Sequence, residues 1–246
     1  MIQNSLSDDP TGLQTLQNLE TASALNKWLF DAISPYCSGN ILEAGSGIGN
    51  ISYFLVHHFN NITLSDFRKE YCDILEIKYT GNKNLNSIAQ INLSLHNFKE
   101  IYPFHLNKYD TIFALNVLEH IKEDELAIRN CRDMLAPNGQ LILLVPAYQV
   151  LYNILDKNLD HIKRYNKTTL SKLVEQGGMQ VMATKYFNFV GLFGWWFTGK
   201  ILQRKIIPAY QINLFNRFIP LFKFIDRLLF NKVGLSVIIV GQRVDL

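Results

Sequence analysis

Two stretches of this sequence hold residue types suited to chemistry. In "ILEAGSGIGN", Glu43 precedes Gly45, Gly47 and Gly49 at alternate positions. Glycines so spaced let backbone approach a ligand closely, and the start of a following helix favours an anionic group. A dinucleotide fingerprint would read Gly-x-Gly-x-x-Gly, but counting from Gly45 the third position is Asn50. A lone glycine turn is often only structural, so a second acid matters. Asp66 closes "NITLSD", where an open α/β sheet places a carboxylate for paired ribose hydroxyls. The other stretch, "LDHIKRY" (159–165), gathers Asp160, His161, Lys163, Arg164 and Tyr165 just after the apolar run "LILLVPA". Its plain reading is a solvated loop. In a helical conformation His161, Arg164 and Tyr165 would share a face, and Asp156 or Asp160 would fix the imidazole or pair with the arginine. Lys163 would point away into solvent.

The elements that must position these groups alternate in kind. "NILEA", "NITLSD", "NSIAQINLSL", "YDTIFALN" and "QLILLVP" read as strands. "ISYFLVHHF", "FRKEYCDILEIKY" and "EDELAIRNCRDML" read as helices between them, with "APNG" as a turn before the fifth strand. Residues 13–33 read as one leading amphipathic helix. "TLSKLVEQ" is a further helix, and "MQVMATKYF" and "SVIIVGQR" are two late strands. Near-continuous apolar strands alternating with helices predict an α/β, doubly wound, mostly parallel seven-stranded sheet covered on both faces.

Composition narrows the function classes. The 246 residues and 48% hydrophobic content fit a single domain with embellishments. A net charge of +3 is too small to imply nucleic-acid binding. Cys37, Cys72 and Cys131 are widely spaced and form no Cys-x-x-Cys, which speaks against disulfides and a zinc site and for a cytoplasmic location. The first residues, "MIQNSLSDDPTG", are polar and acidic, unlike a signal peptide, and the apolar stretch 186–199 is too short to span a bilayer. No visible cluster requires a metal.

Residues 186–231 are a separate compositional unit. They are rich in aromatics and carry six Lys/Arg against one acid, Asp226. Phe215, Phe218, Ile219, Phe222, Ile225 and Leu229 fall at helical intervals, with Asn216, Pro220, Lys223 and Arg227 as the opposite stripe. This helical insertion between the last two strands is expected to wall an acceptor pocket. Core packing, a homodimer surface and a peripheral contact with the inner face of a membrane stay open.

"ILEAGSGIGN", "LSD", "YDTIFALNVLEHI" and "LAPNGQLILLVP" together resemble the class I S-adenosylmethionine-dependent methyltransferases over most of the chain. More narrowly, "VPAYQVLYNILDKNLDHIKRY" and "NFVGLFGW" are similar to a bacterial subgroup with a D-x-x-x-x-H-x-R-R-Y signature. The resemblance implies a Rossmann-like fold in one domain over 1–246. Residues 1–36 would be a helical cap, 37–147 the cofactor-binding core and 148–166 a lid over the acceptor. S-adenosylmethionine would be held by Glu43, Gly45, Ser46, Gly47 and Gly49, by Asp66 and Phe67, by Asn92 and Leu93, and by Asn116 and Val117, leaving S-adenosylhomocysteine as product. Two positions depart from the family pattern. Asn92 stands where an acid often meets the adenine amine, and Asn138–Gly139 replaces a Gly-Gly turn.

Methyl transfer is an in-line displacement, so the protein must align the acceptor, exclude water and, for an O–H or C–H acceptor, remove a proton. Candidates lie beyond strands four and five: His120 and His161, with Arg164 and Tyr165 positioning. His120 has an alternative duty orienting the next helix, and Arg164 an alternative as a structural ion pair. The expected activity is methylation of an apolar, aromatic or lipid-like small molecule on oxygen or carbon. A saccharide or lipid-linked acceptor is one alternative, and a non-catalytic S-adenosylmethionine-binding scaffold is another.

Overall fold

The computed structural model describes residues 10–244. Its centre is a seven-stranded sheet in the order β3-β2-β1-β4-β5-β7-β6. The strands are β1 (Ile41–Ala44), β2 (Ile62–Asp66), β3 (Leu85–Gln90), β4 (Tyr109–Leu115), β5 (Leu135–Pro146), β6 (Met179–Phe187) and β7 (Ser236–Arg243). The first five pair in parallel, and β7 runs antiparallel between β5 and β6. The doubly wound, mostly parallel sheet expected from the sequence is the one observed.

Both faces of the sheet are packed. In β5, Leu141, Leu143 and Val145 enter one apolar cluster, while Ile142 and Leu144 enter the other. β1 divides in the same way, with Leu42 and Ala44 on one side and Ile41 on the other. A period of two between two buried faces gives the unbroken apolar runs seen in the sequence. Helices α6 (Asp124–Met134) and α8 (Lys167–Gln176) cover the first face through Ala127, Ile128, Cys131, Leu170 and Val174. The second is covered by α2 (Ser23–Ile33), α3 (Ser52–His58) and α4 (Lys69–Tyr79).

Four boundaries differ from the sequence reading. The leading helix is two: α1 (Pro10–Glu20) and α2, broken at Thr21–Ala22. Thr21 Oγ1 donates to Asn18 O, and Asn26 Nδ2 donates to Leu19 O, which satisfies carbonyls at the end of α1. The break lets α2 bury Trp28, Phe30 and Ile33 while α1 takes another course. The third strand stops at Gln90 rather than running to residue 95, because Asn92 Oδ1 accepts from Ser94 N and turns the chain. "APNG" lies inside β5 as an irregularity instead of a turn before it. Asn138 has φ 61°, and the pairing with β4 shifts register between Tyr109 and Thr111.

The fourth difference is in the insertion. Its apolar run forms α9 (Phe189–Trp196), α10 (Ala209–Arg217) and α11 (Ile219–Leu228), with α10 and α11 parted at Phe218 and Pro220 in the first turn of α11. The expected division into apolar and polar stripes holds in part: Ile219 is buried and Phe215 and Phe222 pack on the core, with Pro220 and Arg227 exposed. Asn216 Oδ1 accepts from Leu25 N, and Lys223 pairs with Asp31, so two members of the supposed outer stripe face α2. Phe218, Leu221, Phe224 and Leu228 are exposed instead. The single acid, Asp226, is buried and accepts from Asn188 N and Phe189 N, tying α11 to the start of α9. Among the described residues no helix is long and apolar enough to cross a membrane. Two short helices, α5 (Phe98–Ile101) and α7 (Ile154–Asn158), and single-turn 3-10 segments such as Leu118–His120 lie between these elements.

Candidate active site

Two groups of residues meet at the carboxyl ends of β1, β2, β4 and β5, where open α/β sheets bind ligands. The first surrounds the glycine turn after β1. Gly45, Gly47 and Gly49 all have positive φ, a conformation other residues adopt at a cost. Gly45 is also a close approach, since a Cβ there would lie 2.3 Å from Val117 Cγ2. The turn is held to β2 because Gly45 N and Ser46 N both donate to Ser65 O at 2.8 Å. Ser46 Oγ in turn accepts from Ser65 N.

Two buried carboxylates flank this turn. Glu43 accepts from Ser52 Oγ in α3. Burial pushes its carboxyl up to about 8, opposed by the Ser52 and Ser46 hydroxyls and reinforced by the charge of Asp66. Asp66 accepts from Gly47 N through Oδ2 and Arg68 N through Oδ1, each at 3.0 Å. Burial also raises Asp66, offset by those backbone donors. Two acids beside a glycine cradle favour a ligand with cationic and hydroxyl groups over one presenting a pyrophosphate. This donor set fits S-adenosylmethionine, whose sulfonium and ammonium are cationic and whose ribose donates hydroxyl protons. Phe67 is exposed next to Asp66, with the Arg68 guanidinium 4.8 Å from its ring centroid.

The other expected cofactor residues divide. Asn116 has φ 55° at the end of β4 and donates its N–H to Leu144 O. Val117, which follows it, packs on Gly45. Asn92 is half-buried and uses its side-chain oxygen locally on Ser94 N. Leu93 turns into the core, and its carbonyl accepts from Asn130 Nδ2. Helix α1 lies over the glycine turn. Asn50 Nδ2 donates to Leu16 O, the Leu16 side chain stands against Gly47, and Lys78 bridges Glu20 and Ile48 O.

The second group centres on Asp156. A capping box at the start of α7 fixes it, with Asp156 Oδ2 accepting from Asn153 N. Its Oδ1 accepts from His161 Nδ1 at 2.9 Å and Arg164 Nε at 2.7 Å. Trp195 Nε1, from α9, donates to Oδ2 at 3.3 Å. Burial alone would raise this carboxyl, but His161 and Arg164 hold it below its ordinary value. Arg164 also donates to Ala147 O and lies over the Trp195 ring at 4.8 Å. It is buried, so its guanidinium serves the interior ion pair.

Residues 161–164 are not helical, so the shared helical face expected for His161, Arg164 and Tyr165 is absent. The segment is extended and pairs beside the end of β5, Tyr165 N donating to Pro146 O and Tyr148 N to Tyr165 O. Successive side chains in an extended chain leave on opposite sides. Neighbouring Arg164 and Tyr165 therefore part: Arg164 reaches the Asp156 that also holds His161, while Tyr165 donates to Asp124 Oδ2 at 2.9 Å. Lys163 is not simply solvated, for it pairs with the same Asp124 at 2.6 Å. Asp160 is an exposed turn residue with φ 56°.

The Leu118–His120 turn after β4 completes the group. His120 is exposed, and its ring meets that of His161 edge-on at 4.8 Å. Glu119 is wholly buried, with His161 Nε2 standing 3.9 Å from its Oε1. Burial pushes its carboxyl up to about 7, with His161 and Arg164 opposing the shift. Sequence reasoning did not single out Trp195 or the interior placement of Glu119. The quoted "NFVGLFGW" ends on Trp195, which was the one available signal.

Residues 42–143, from β1 into β5, match the family model described as "Methyltransferase domain". The chain is similar to methyltransferase domains over these residues. Its curated relatives fall in two settings. A probable polyketide synthase of Dictyostelium discoideum is 27% identical over 162 residues, covering 57% of this chain and 6% of the relative. A ubiquinone biosynthesis O-methyltransferase of Coxiella burnetii is 22% identical over 156 residues, covering 58% of this chain and 64% of the relative. The chain thus spans less than two thirds of either relative's length.

Solved structures share the fold. The CurJ carbon methyltransferase superposes with a TM-score of 0.56 at 15% identity, over 91% of this chain and 54% of that one. A Haemonchus contortus phosphoethanolamine N-methyltransferase, solved with S-adenosyl-L-methionine, gives a TM-score of 0.59 at 13% identity, over 90% and 52%. The seven-stranded sheet and the positive-φ glycine turn agree with the class I resemblance that the sequence motifs carry.

Proposed function

We propose that the protein transfers a methyl group from S-adenosylmethionine to an oxygen or carbon of a small-molecule acceptor. One observation carries the reading: the turn after β4 touches both groups of residues. Val117 packs on the cofactor glycine Gly45, and two and three residues on, Glu119 and His120 stand beside His161. A cofactor cradle and a proton-accepting cluster joined by one turn suit a reaction in which an acceptor loses a proton as it is alkylated.

Bound in the cradle, the cofactor supplies an electrophilic methyl on a sulfonium sulfur. Asp66 would accept from the ribose hydroxyls, Glu43 ties the turn to α3 through Ser52, and the backbone of Gly45–Gly49 would let the ligand approach. His161 Nε2 takes the acceptor proton, because Nδ1 is committed to Asp156. The Trp195 indole and the Arg164–Asp156 pair close the site from the insertion side and keep water away. A carbon methyltransferase and a ubiquinone biosynthesis O-methyltransferase among the similar proteins support acceptors on carbon or oxygen. Apolar or aromatic acceptors are favoured over saccharides because the insertion stacks Trp195 beside His161.

Calorimetric titration with S-adenosylhomocysteine and with NAD tests the cofactor side. S-adenosylhomocysteine is expected to bind at one site per chain and NAD not at all; the reverse result sinks the reading. Methyl-labelled S-adenosylmethionine offered with phenolic and β-keto acceptors then tests turnover. Tight S-adenosylhomocysteine binding with no product from any acceptor would favour a non-catalytic scaffold instead.

A further inference from the structure

We infer that Glu119, His120 and His161 form a binding site for one divalent transition-metal ion. Glu119 is the decisive residue. It is wholly buried, and neither of its carboxylate oxygens accepts a hydrogen bond from another residue. A buried acid left without donors is costly unless something else supplies the positive charge. His161 Nε2 alone, at 3.9 Å, is beyond hydrogen-bond reach.

The other two ligands converge on the same point. One atom from each of the three side chains lies within 4.8 Å of the others. Four-coordinate zinc, with bonds of about 2.1 Å, holds its ligand atoms about 3.4 Å apart, so modest side-chain closure brings these three into range. The imidazole is already prepared. Asp156 accepts from Nδ1 of His161, which leaves Nε2 as a lone-pair donor, the carboxylate–histidine arrangement that orients metal ligands. Asp156 is fixed in turn by the Asn153 cap, Arg164 and Trp195.

Two imidazoles and one carboxylate suit Zn²⁺, Mn²⁺ or Fe²⁺ better than Ca²⁺ or Mg²⁺, which prefer all-oxygen sites. Three protein ligands leave at least one position open, as in sites that bind a substrate atom. His120 is the exposed member, so the open side faces outward. An acceptor oxygen is the natural fourth ligand; with an ion bound, His161 Nε2 would be a ligand rather than the base, and the ion would instead acidify the acceptor hydroxyl. This last point rests on the methyltransferase reading, whereas the ion site does not.

The test uses the full chain, stripped with chelator and titrated with ZnCl2 and separately with MnCl2 by calorimetry. One equivalent should bind in at least one titration. Glu119→Gln and His120→Ala should each weaken it by about tenfold or more, and Asp156→Asn by a similar factor. His57→Ala, at an exposed site on α3, should not. Unfolding midpoints of the metal-free variants establish that they fold, and His120→Ala, on the surface, preserves the test if Glu119→Gln does not. No saturable equivalent with either metal, or uptake that Glu119→Gln and His120→Ala leave unchanged, overturns the inference. S-adenosylhomocysteine binding measured on the same samples separates the two ideas. Metal uptake without it would refute the methyltransferase reading alone, and its binding without metal uptake would refute the ion site alone.

Discussion

His161 Nδ1 donates to Asp156 Oδ1 across 2.9 Å in a site with almost no solvent, so the ring presents Nε2 toward Glu119 as the nitrogen with the free lone pair. The same Asp156 oxygen balances the Arg164 guanidinium, whose side chain is 1% exposed. Replacing Asp156 by Asn keeps the shape but leaves a buried cation without its counter-charge. The expected cost is about 3–5 kcal/mol, measured by urea unfolding. A loss below 1 kcal/mol would mean that the pair is solvated in solution.

His161→Ala should reduce turnover by about a hundredfold or more while S-adenosylhomocysteine affinity stays within about twofold. The separation follows because the cofactor cradle is built from β1, β2 and the turn after β4, not from residues 159–165. Unchanged turnover would remove His161 as the base.

Stability of the ligand-free protein should fall as pH rises through the titration of Glu43. Its folded-state value of about 8 lies above the ordinary 4.5, so the folded chain holds a proton that the unfolded chain releases. That contribution is complete below about 4.5 and is lost as pH climbs through about 8, with an upper bound of about 5 kcal/mol. Asp66 from β2, Cys37 and Tyr79 are the titratable groups that feel its charge, and Ser52 and Ser46 supply hydroxyls. Denaturation at about pH 5 and about pH 9 checks the sign. Glu43→Gln should flatten the slope, and a slope that persists would assign the titration elsewhere.

Gly45→Val should abolish cofactor binding and destabilise the fold. Positive φ costs a β-branched residue about 1–3 kcal/mol, and its Cβ would collide with Val117. Thermal unfolding with and without S-adenosylhomocysteine reads both effects. A variant that still gains stability from the ligand would disprove the close approach.

Tyr165→Phe should act on stability rather than on catalysis. It removes the hydroxyl bonded to Asp124 Oδ2, leaving Lys163 as partner, at an expected cost of about 1–2 kcal/mol. Turnover per folded molecule should hold. A large loss of turnover in a stable variant would return Tyr165 to the acceptor side.

The sheet was legible because its strands are buried on both faces. β6 and β7 occupy the ranges their apolar runs predict, and Glu43, Gly45 and Asp66 stand at strand ends where the motif spacing puts them. The acceptor side was legible in residue type and not in arrangement. His161 and Arg164 do converge, but through Asp156 and an extended backbone that local periodicity does not encode. Trp195 reaches Asp156 across 39 positions, a contact set by how the insertion folds back. The α1–α2 break was hidden because both helices keep apolar residues at helical spacing across it.

Helix α10 touches the end of α1 through Asn213 and Thr21, and α1 lies over the glycine turn. Within the same insertion, Gly199 packs on Asn153 and Trp195 reaches Asp156. The cover of one ligand and the wall of the other are therefore braced by one continuous segment. Any free energy that one ligand spent in ordering that segment would lower the cost for the second, which would link the two occupancies.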